Sequence, residues 1–216
     1  MITTSHLSPN TSSKTRESLV QYLGLSIEIY KSRAHNRAVI YQNDAPPPMK
    51  NLTQHLTQYA EYHRNTRNII SHFIGIPLIV LGFTALLSRP SFEIVGYLSS
   101  PALLIAVIAS LFYLKLDLWM GAVMSVLMAL SVLFGRYTAE QSTTYWLSMS
   151  IGFFFVGWVI QFIGHVYEKR KPAFVDDIMG LAIGPLFVLA ELVFLLGFRK
   201  ELKENIESVA GPTRNS

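Results

Sequence analysis

The sequence predicts an all-α fold, a polytopic transmembrane helical bundle with four to five spans, and three observations carry that prediction. Half of the 216 residues are hydrophobic and only 15% are charged. Mean hydropathy is positive, a composition that belongs to integral membrane proteins. The apolar residues stand in long blocks after Asn68, without the regular interruption by charge that a water-exposed helix shows.

Taken in order, residues 1–48 read as a flexible N-terminal appendage. Its first 17 residues are polar and rich in Ser and Thr, Leu19 to Tyr30 has the pattern of a short amphipathic helix, and Asp44 to Met49 is a proline-rich stop. No stretch has the short apolar core and small-residue cleavage site of a signal peptide, so the first span is expected to serve as its own insertion signal. Residues 49–200 are expected to form a membrane-embedded domain, and 201–216 a polar C-terminal tail.

Between Leu52 and His63 the chain reads as a helix bearing Gln, Tyr and His, too polar to cross a bilayer. Interfacial placement would suit the rings of Tyr59 and Tyr62. Five apolar blocks follow: Ile69 to Leu87, Ile94 to Leu114, Leu118 to Phe134, Tyr145 to Gly164 and Leu181 to Phe198. Each is near the roughly 20 residues that a spanning helix needs. The last contains Pro185 and Glu191. A carboxyl within a span must be protonated, paired or turned toward protein, so this block either crosses or folds back.

Charge sets the orientation. Lys14, Arg16, Lys31, Arg33, Arg37, Lys50, Arg64 and Arg67 precede the first span, and the formal net charge is a modest +4. These cations predict a cytoplasmic N-terminus by the positive-inside rule, and no nucleic-acid partner. Alternation then puts Lys115 and the run Glu168-Lys169-Arg170-Lys171 inside as well. A complete fifth span would leave Arg199, Lys200 and Lys203 outside, against the rule. The protein is expected in a bacterial inner membrane or the endoplasmic reticulum, with its active site facing the cytoplasm.

There is no cysteine, which excludes disulfides, thiolate metal sites and cysteine nucleophiles. A metal would have to be held by nitrogen and oxygen. His63, His72 and His165 are the candidates, since ionisable groups at membrane spans usually pair or bind something. Span counting puts all of them on one cytoplasmic face. His63 and His72 are nine residues apart, which on one straight helix places them on opposite sides. Asn65-Thr66 supplies a break, because either can cap a new helix.

Gln161, His165 and Glu168 are spaced i, i+4, i+7 and share one helical face. Glu168 would either ligate a metal beside His165 or orient its imidazole from outside. Nitrogen and carboxylate donors suit non-haem iron, zinc or manganese. Taken singly, each histidine also reads as a packed interface residue, and Glu168 as part of a solvated charge cluster. His6 and His35 lie in the appendage, and His55 reads as an exposed helical residue.

The stretch Tyr59-Ala-Glu-Tyr-His-Arg-Asn-Thr-Arg-Asn-Ile-Ile-Ser-His-Phe-Ile-Gly-Ile-Pro77 resembles the first motif of the 2-hydroxy fatty acid dioxygenase family. Gln161-Phe-Ile-Gly-His-Val-Tyr-Glu-Lys-Arg-Lys-Pro-Ala173 is similar to its second motif, and Gly184-Pro185-Leu186-Phe187 followed by Glu191 to its third. The resemblance covers about residues 50–200. It implies an Fe(II)-dependent oxidoreductase that uses O2 to shorten a long-chain 2-hydroxy fatty acid by one carbon, a step of fatty acid α-oxidation in lipid metabolism.

His63, His72 and His165 would then be catalytic, and with Glu168 would form the metal set. Glu168 follows His165 by three residues where some members have one more, a departure that bears on its role. Arg64, Arg67 or Lys169 would draw the substrate carboxylate while the tail lies among the spans. The clustered histidine boxes of desaturases are absent. Two other readings stand beside this one: a bis-histidine haem protein with His72 and His165 as axial ligands, and a non-enzymatic carrier or structural membrane protein with Glu191 as a proton-linked group.

Overall fold

A computed structural model of the chain describes residues 50–94 and 96–215, together with Gln21, Gly24, Ile27, Glu28 and Lys31, which are helical and exposed. The chain divides into two units, Met1–Met49 and Lys50–Ser216. His6, His35, the proline-rich stop and most of the amphipathic segment expected over Leu19 to Tyr30 lie outside the described residues. The second unit carries helices α1 (Leu52–Ala60), α2 (Thr66–Ser88), α3 (Pro101–Leu116), α4 (Leu118–Ala139), α5 (Thr143–Glu168), α6 (Met179–Leu195) and α7 (Lys200–Ala210). A hairpin of β1 (Phe92–Ile94) and β2 (Tyr97–Ser99) joins α2 to α3, and a 3-10 turn (Ala173–Val175) precedes α6.

Side-chain caps start most of these helices. Asn51 opens α1 in a capping box with Gln54, and the Asn65 side chain accepts from the Arg67 N–H at the start of α2. Ser100 caps α3 just before Pro101, Asp117 caps α4 and Ser142 caps α5. Each supplies an acceptor to a first-turn amide that has no partner within its helix. Lys169 ends α5 in the left-handed region, at φ 57°.

Helices α2, α4 and α5 are long and apolar enough to cross a membrane. The second expected span begins later than Ile94, because Phe92↔Ser99, Glu93↔Leu98 and Ile94↔Tyr97 pair as an antiparallel hairpin. Helix α3 therefore has 16 residues, about 24 Å of rise, somewhat short of the roughly 30 Å hydrocarbon core. Large apolar side chains such as Ile108, Leu111 and Phe155 are more than half exposed, as helix faces turned to lipid require.

Helices α2 and α5 cross where Gly75 meets Gly157: a methyl on Gly157 would stand 2.7 Å from the Gly75 carbonyl oxygen. Only glycine allows that approach, and small residues at crossings are how membrane helices gain packing. His72 lies one turn before this crossing on α2, and His165 about two turns after it on α5.

Helix α6 makes contacts near both of its ends with one corner of the bundle. The Tyr113 hydroxyl near the end of α3 donates to the Ala182 carbonyl at 2.7 Å. Beyond α6, Arg199 bonds both oxygens of Asp117 at the α3–α4 corner, at 2.9 and 2.7 Å. Contacts near both ends of α6 thus reach the C-terminal end of α3. The chain bends by 117° into α7, which packs against α1 and buries Ile206 in the core. The segment expected as a polar tail is this helix plus a strand-like stretch that pairs Arg214 with Asn65.

Candidate metal centre

His63 lies in the turn between α1 and α2, His72 in the second turn of α2, and His165 in the last turn of α5. They are 0%, 1% and 7% exposed. The cap at Asn65 breaks the helix between the first two, so their nine-residue spacing no longer sets them back to back. Ring centroids are 4.4 Å apart for His63 and His72, 5.0 Å for His63 and His165, and 5.2 Å for His72 and His165. Each ring offers one nitrogen, and the three nitrogens lie within 4.8 Å of one another.

The tautomers follow from the neighbours. His63 Nδ1 lies 2.6 Å from the Tyr59 carbonyl oxygen, and His72 Nδ1 lies 2.8 Å from that of Asn68. A carbonyl only accepts, so both rings carry their proton on Nδ1 and leave a bare lone pair on Nε2. His63 Nε2 and His165 Nδ1 are buried without a hydrogen-bond partner among the described residues. Burial, with the His72 imidazole adding to it, pushes the His63 pKa well below its usual range, so that ring is neutral. Neutral imidazole nitrogens gathered this closely form a set that a cation would complete, and metal-binding histidines are usually oriented by just such second-nitrogen hydrogen bonds. Three imidazoles suit iron, zinc, copper or nickel.

Glu168 stands apart from this cluster. Its side chain is fully buried, and its oxygens are engaged: Oε2 accepts from the Asn65 N–H at 2.8 Å and from Asn68 Nδ2 at 3.1 Å, while Oε1 accepts from Arg214 at 3.0 Å. Asn68 in turn holds His72 through its carbonyl, so Glu168 reaches the histidines through one intermediary. The end of α5 is thereby tied to the start of α2.

Tyr59 is a wall of the site and not an interfacial ring. It is 7% exposed and stacks on His63 with centroids 4.1 Å apart and planes 5° from parallel. Burial raises its hydroxyl pKa, so it stays protonated at neutral pH. Gly184 leaves room for that hydroxyl, since a methyl there would stand 3.1 Å from it. Phe187 closes the other side, 5.6 Å from the His63 ring. The three motifs singled out in the sequence meet here.

Two of the cations have partners within the fold. Arg64 is 4% exposed and donates to the carbonyls of Ala60 at 2.9 Å, His63 at 3.0 Å and Gly211 at 3.0 Å, with Glu191 at 3.5 Å. Arg67 lies over the Tyr167 ring at 5.2 Å. His55 is half-buried, edge-on to Phe112 at 6.1 Å, and takes no part in the cluster. Tyr59 and Asn68 are the residues that sequence reasoning missed as site groups. Their shared signal is position, four residues before His63 and His72, where a helical carbonyl reaches a ring nitrogen.

A small void of about 70 Å³ adjoins the cluster, lined among others by His72, His165, Gln161, Trp158 and Gly184. Gln161 is 4% exposed and its Nε2 has no hydrogen-bond partner among the described residues. The pocket therefore combines a metal-type donor set with a free amide donor.

No solved structure matches the chain. Among curated proteins, the chain is similar to the 2-hydroxy-palmitic acid dioxygenase MPO1 of Saccharomyces cerevisiae, with 34% identity over 158 residues, 72% of this chain and 87% of that protein. The family described as 2-hydroxy-palmitic acid dioxygenase Mpo1-like matches residues 49–196, which include all three histidines, and the chain belongs to that family.

Proposed function

We propose that His63, His72 and His165 hold one Fe(II) ion and that the protein uses O2 to shorten long-chain 2-hydroxy fatty acids by one carbon. Its membership in the family makes it an oxidoreductase, a 2-hydroxy fatty acid dioxygenase. The observation that carries the metal assignment is the convergence of three buried imidazoles, two of them with Nδ1 tied to carbonyls and their free lone pairs turned into one space. Iron over zinc rests on the family and its reaction with O2. The reaction breaks the bond between the carboxyl carbon and C2: a 2-hydroxy acid and O2 yield the shortened acid, CO2 and water, with no further reductant.

When bound, Fe(II) supplies O2 activation and a Lewis-acidic anchor for the substrate's carboxylate and 2-hydroxyl. The chain's own residues do the rest. Tyr59 and Asn68 fix the two ring tautomers, so the ligand lone pairs are set before the ion arrives. Glu168 acts from outside the ring of nitrogens, by holding Asn68 and Asn65. Tyr59, Phe187 and Trp158 keep water from the reacting carbons. Helix α6 closes the site from the same bundle end at which α2 begins. A cytoplasmic face holding Arg199, Lys200 and Lys203 together with Lys115 and Lys169–Lys171 would satisfy the positive-inside rule.

The test is anaerobic purification in detergent with metal analysis, followed by 2-hydroxypalmitate and O2, with products read by mass spectrometry. Bound iron and an oxygen-dependent acid one carbon shorter are expected. A stable, metal-free protein that gains no activity when Fe(II) is restored would overturn the proposal and favour the carrier or structural reading.

A further inference from the structure

The void beside the histidines does not end there. Ile79, Val80, Trp158, Leu181 and Pro185 line it and also line a larger cavity of about 390 Å³ among α2, α3, α4, α5 and α6. The deep end of this cavity is formed by Phe83, Leu87 and Ala102. From His72 to Leu87 along α2 is about 22 Å of helix rise. An acyl chain filling one leaflet covers about half of the ~30 Å hydrocarbon core, so the depth accommodates a long-chain tail.

The distribution of polar groups points to an amphipathic occupant. The hydroxyls along the cavity are satisfied internally: Thr84 donates to the Val80 carbonyl at 2.7 Å, Ser131 to that of Met128 at 2.8 Å and Tyr113 to that of Ala182 at 2.7 Å. Nothing there asks for a polar partner. At the neck the opposite holds, since Gln161 Nε2 is buried and unpartnered, one turn beyond Trp158 on α5. A buried amide donor without an acceptor is costly, and an anionic or hydroxylated head group removes that cost.

Space for the tail comes from one face of α3. Ala102, Ala106 and Ala109, at i, i+4 and i+7, line the cavity, whereas the lipid-facing positions of the same helix hold Leu104, Ile108 and Leu111. A second apolar cavity of about 420 Å³ between α2, α4 and α6 also touches the void, at Ile76, Val80 and Pro185. It has no wall from α5, the helix that carries Gln161 and His165.

We infer that the cavity walled by α3 and α5 is the acyl channel, that Gln161 donates to the substrate head group at its neck, and that Ala102 and Ala106 limit the chain length accepted. This rests on the reading of the site as one for 2-hydroxy fatty acids. Ala102→Leu and Ala106→Leu shorten the channel. In a series from 2-hydroxyoctanoate to 2-hydroxypalmitate, kcat/KM for the long acids is expected to fall relative to the short ones by on the order of tenfold or more, the discrimination that an excluded methylene commands. An unchanged ratio would overturn the channel assignment. Gln161→Leu is expected to raise KM across the series with iron content unchanged.

Photolabelling of the unmodified protein decides the matter without a variant. A 2-hydroxypalmitate with a terminal diazirine is expected to label Phe83, Leu87 or α3 around Ala102, competed by 2-hydroxypalmitate itself. Label confined to Met124 and Leu127 of the second cavity, or to lipid-facing Ile108 and Leu111, would refute the channel. Labelling at the deep end by a protein that forms no product with Fe(II) and O2 would uphold the channel and sink the dioxygenase reading instead.

Discussion

Replacing Glu168 distinguishes a metal ligand from a positioning residue, and the structure supplies the magnitudes. In Glu168→Gln the amide oxygen can take the place of Oε2 and keep the bonds from the Asn65 N–H and Asn68 Nδ2. Both change from charged to neutral acceptors, at about 1 kcal/mol each. The pair with Arg214 is lost, but that guanidinium is 65% exposed, so solvent screening limits its share to well under ~1 kcal/mol. The expected cost is about 2 kcal/mol. Glu168→Ala leaves two buried donors unpaired at about 1–3 kcal/mol each, near 4 kcal/mol in all.

The assay is thermal inactivation in detergent alongside iron stoichiometry. Glu168→Gln is expected to keep its iron while melting earlier, and Glu168→Ala to melt earlier still and lose part of its iron through displaced Asn68 and His72. Loss of all iron in Glu168→Gln with an unchanged melting temperature would refute the reasoning and make the carboxylate a ligand.

Three further outcomes follow from the packing. Gly82→Ala sets a methyl 2.5 Å from the Phe154 backbone nitrogen and 2.7 Å from the Ser150 carbonyl oxygen, so α2 and α5 must part, at about 1–3 kcal/mol. Its melting temperature and iron content should both fall, while Gly152→Ala, which meets nothing within 4 Å, should leave both unchanged. Arg64→Ala strands the partly buried Glu191 carboxylate and frees the Gly211 carbonyl, a loss of about 3–5 kcal/mol, and carboxypeptidase trimming of residues 211–216 should become rapid by intact mass. A chain beginning at Met49 should insert and turn over 2-hydroxypalmitate like the full chain, and failure to do so would give residues 1–48 a part in folding or catalysis.

The apolar blocks and the candidate histidines were legible in the sequence because hydropathy, capping and helical spacing are local properties. The break at Asn65-Thr66 was legible for the same reason, since a cap needs only its own first turn. What was not legible depends on partners far along the chain. Nothing near Glu191 in the sequence shows that Arg64, 127 residues away, lies beside it. Nor does any local pattern show that Asn65, Asn68 and Arg214 bond the oxygens of Glu168. Tyr59 read as an interfacial ring because nothing local shows that α6 lies over it.

By itself the sequence determined that this is a membrane-embedded helical protein with three histidines and a carboxylate near one face. Composition and period specify which segments bury themselves in lipid, whatever their neighbours. Only the tertiary structure decided that three of those four groups share one space while the carboxylate meets Asn65, Asn68 and Arg214. That division depends on how closely α2 and α5 approach at Gly75 and Gly157 and on where α6 and α7 return, contacts made across the bundle that no local pattern encodes.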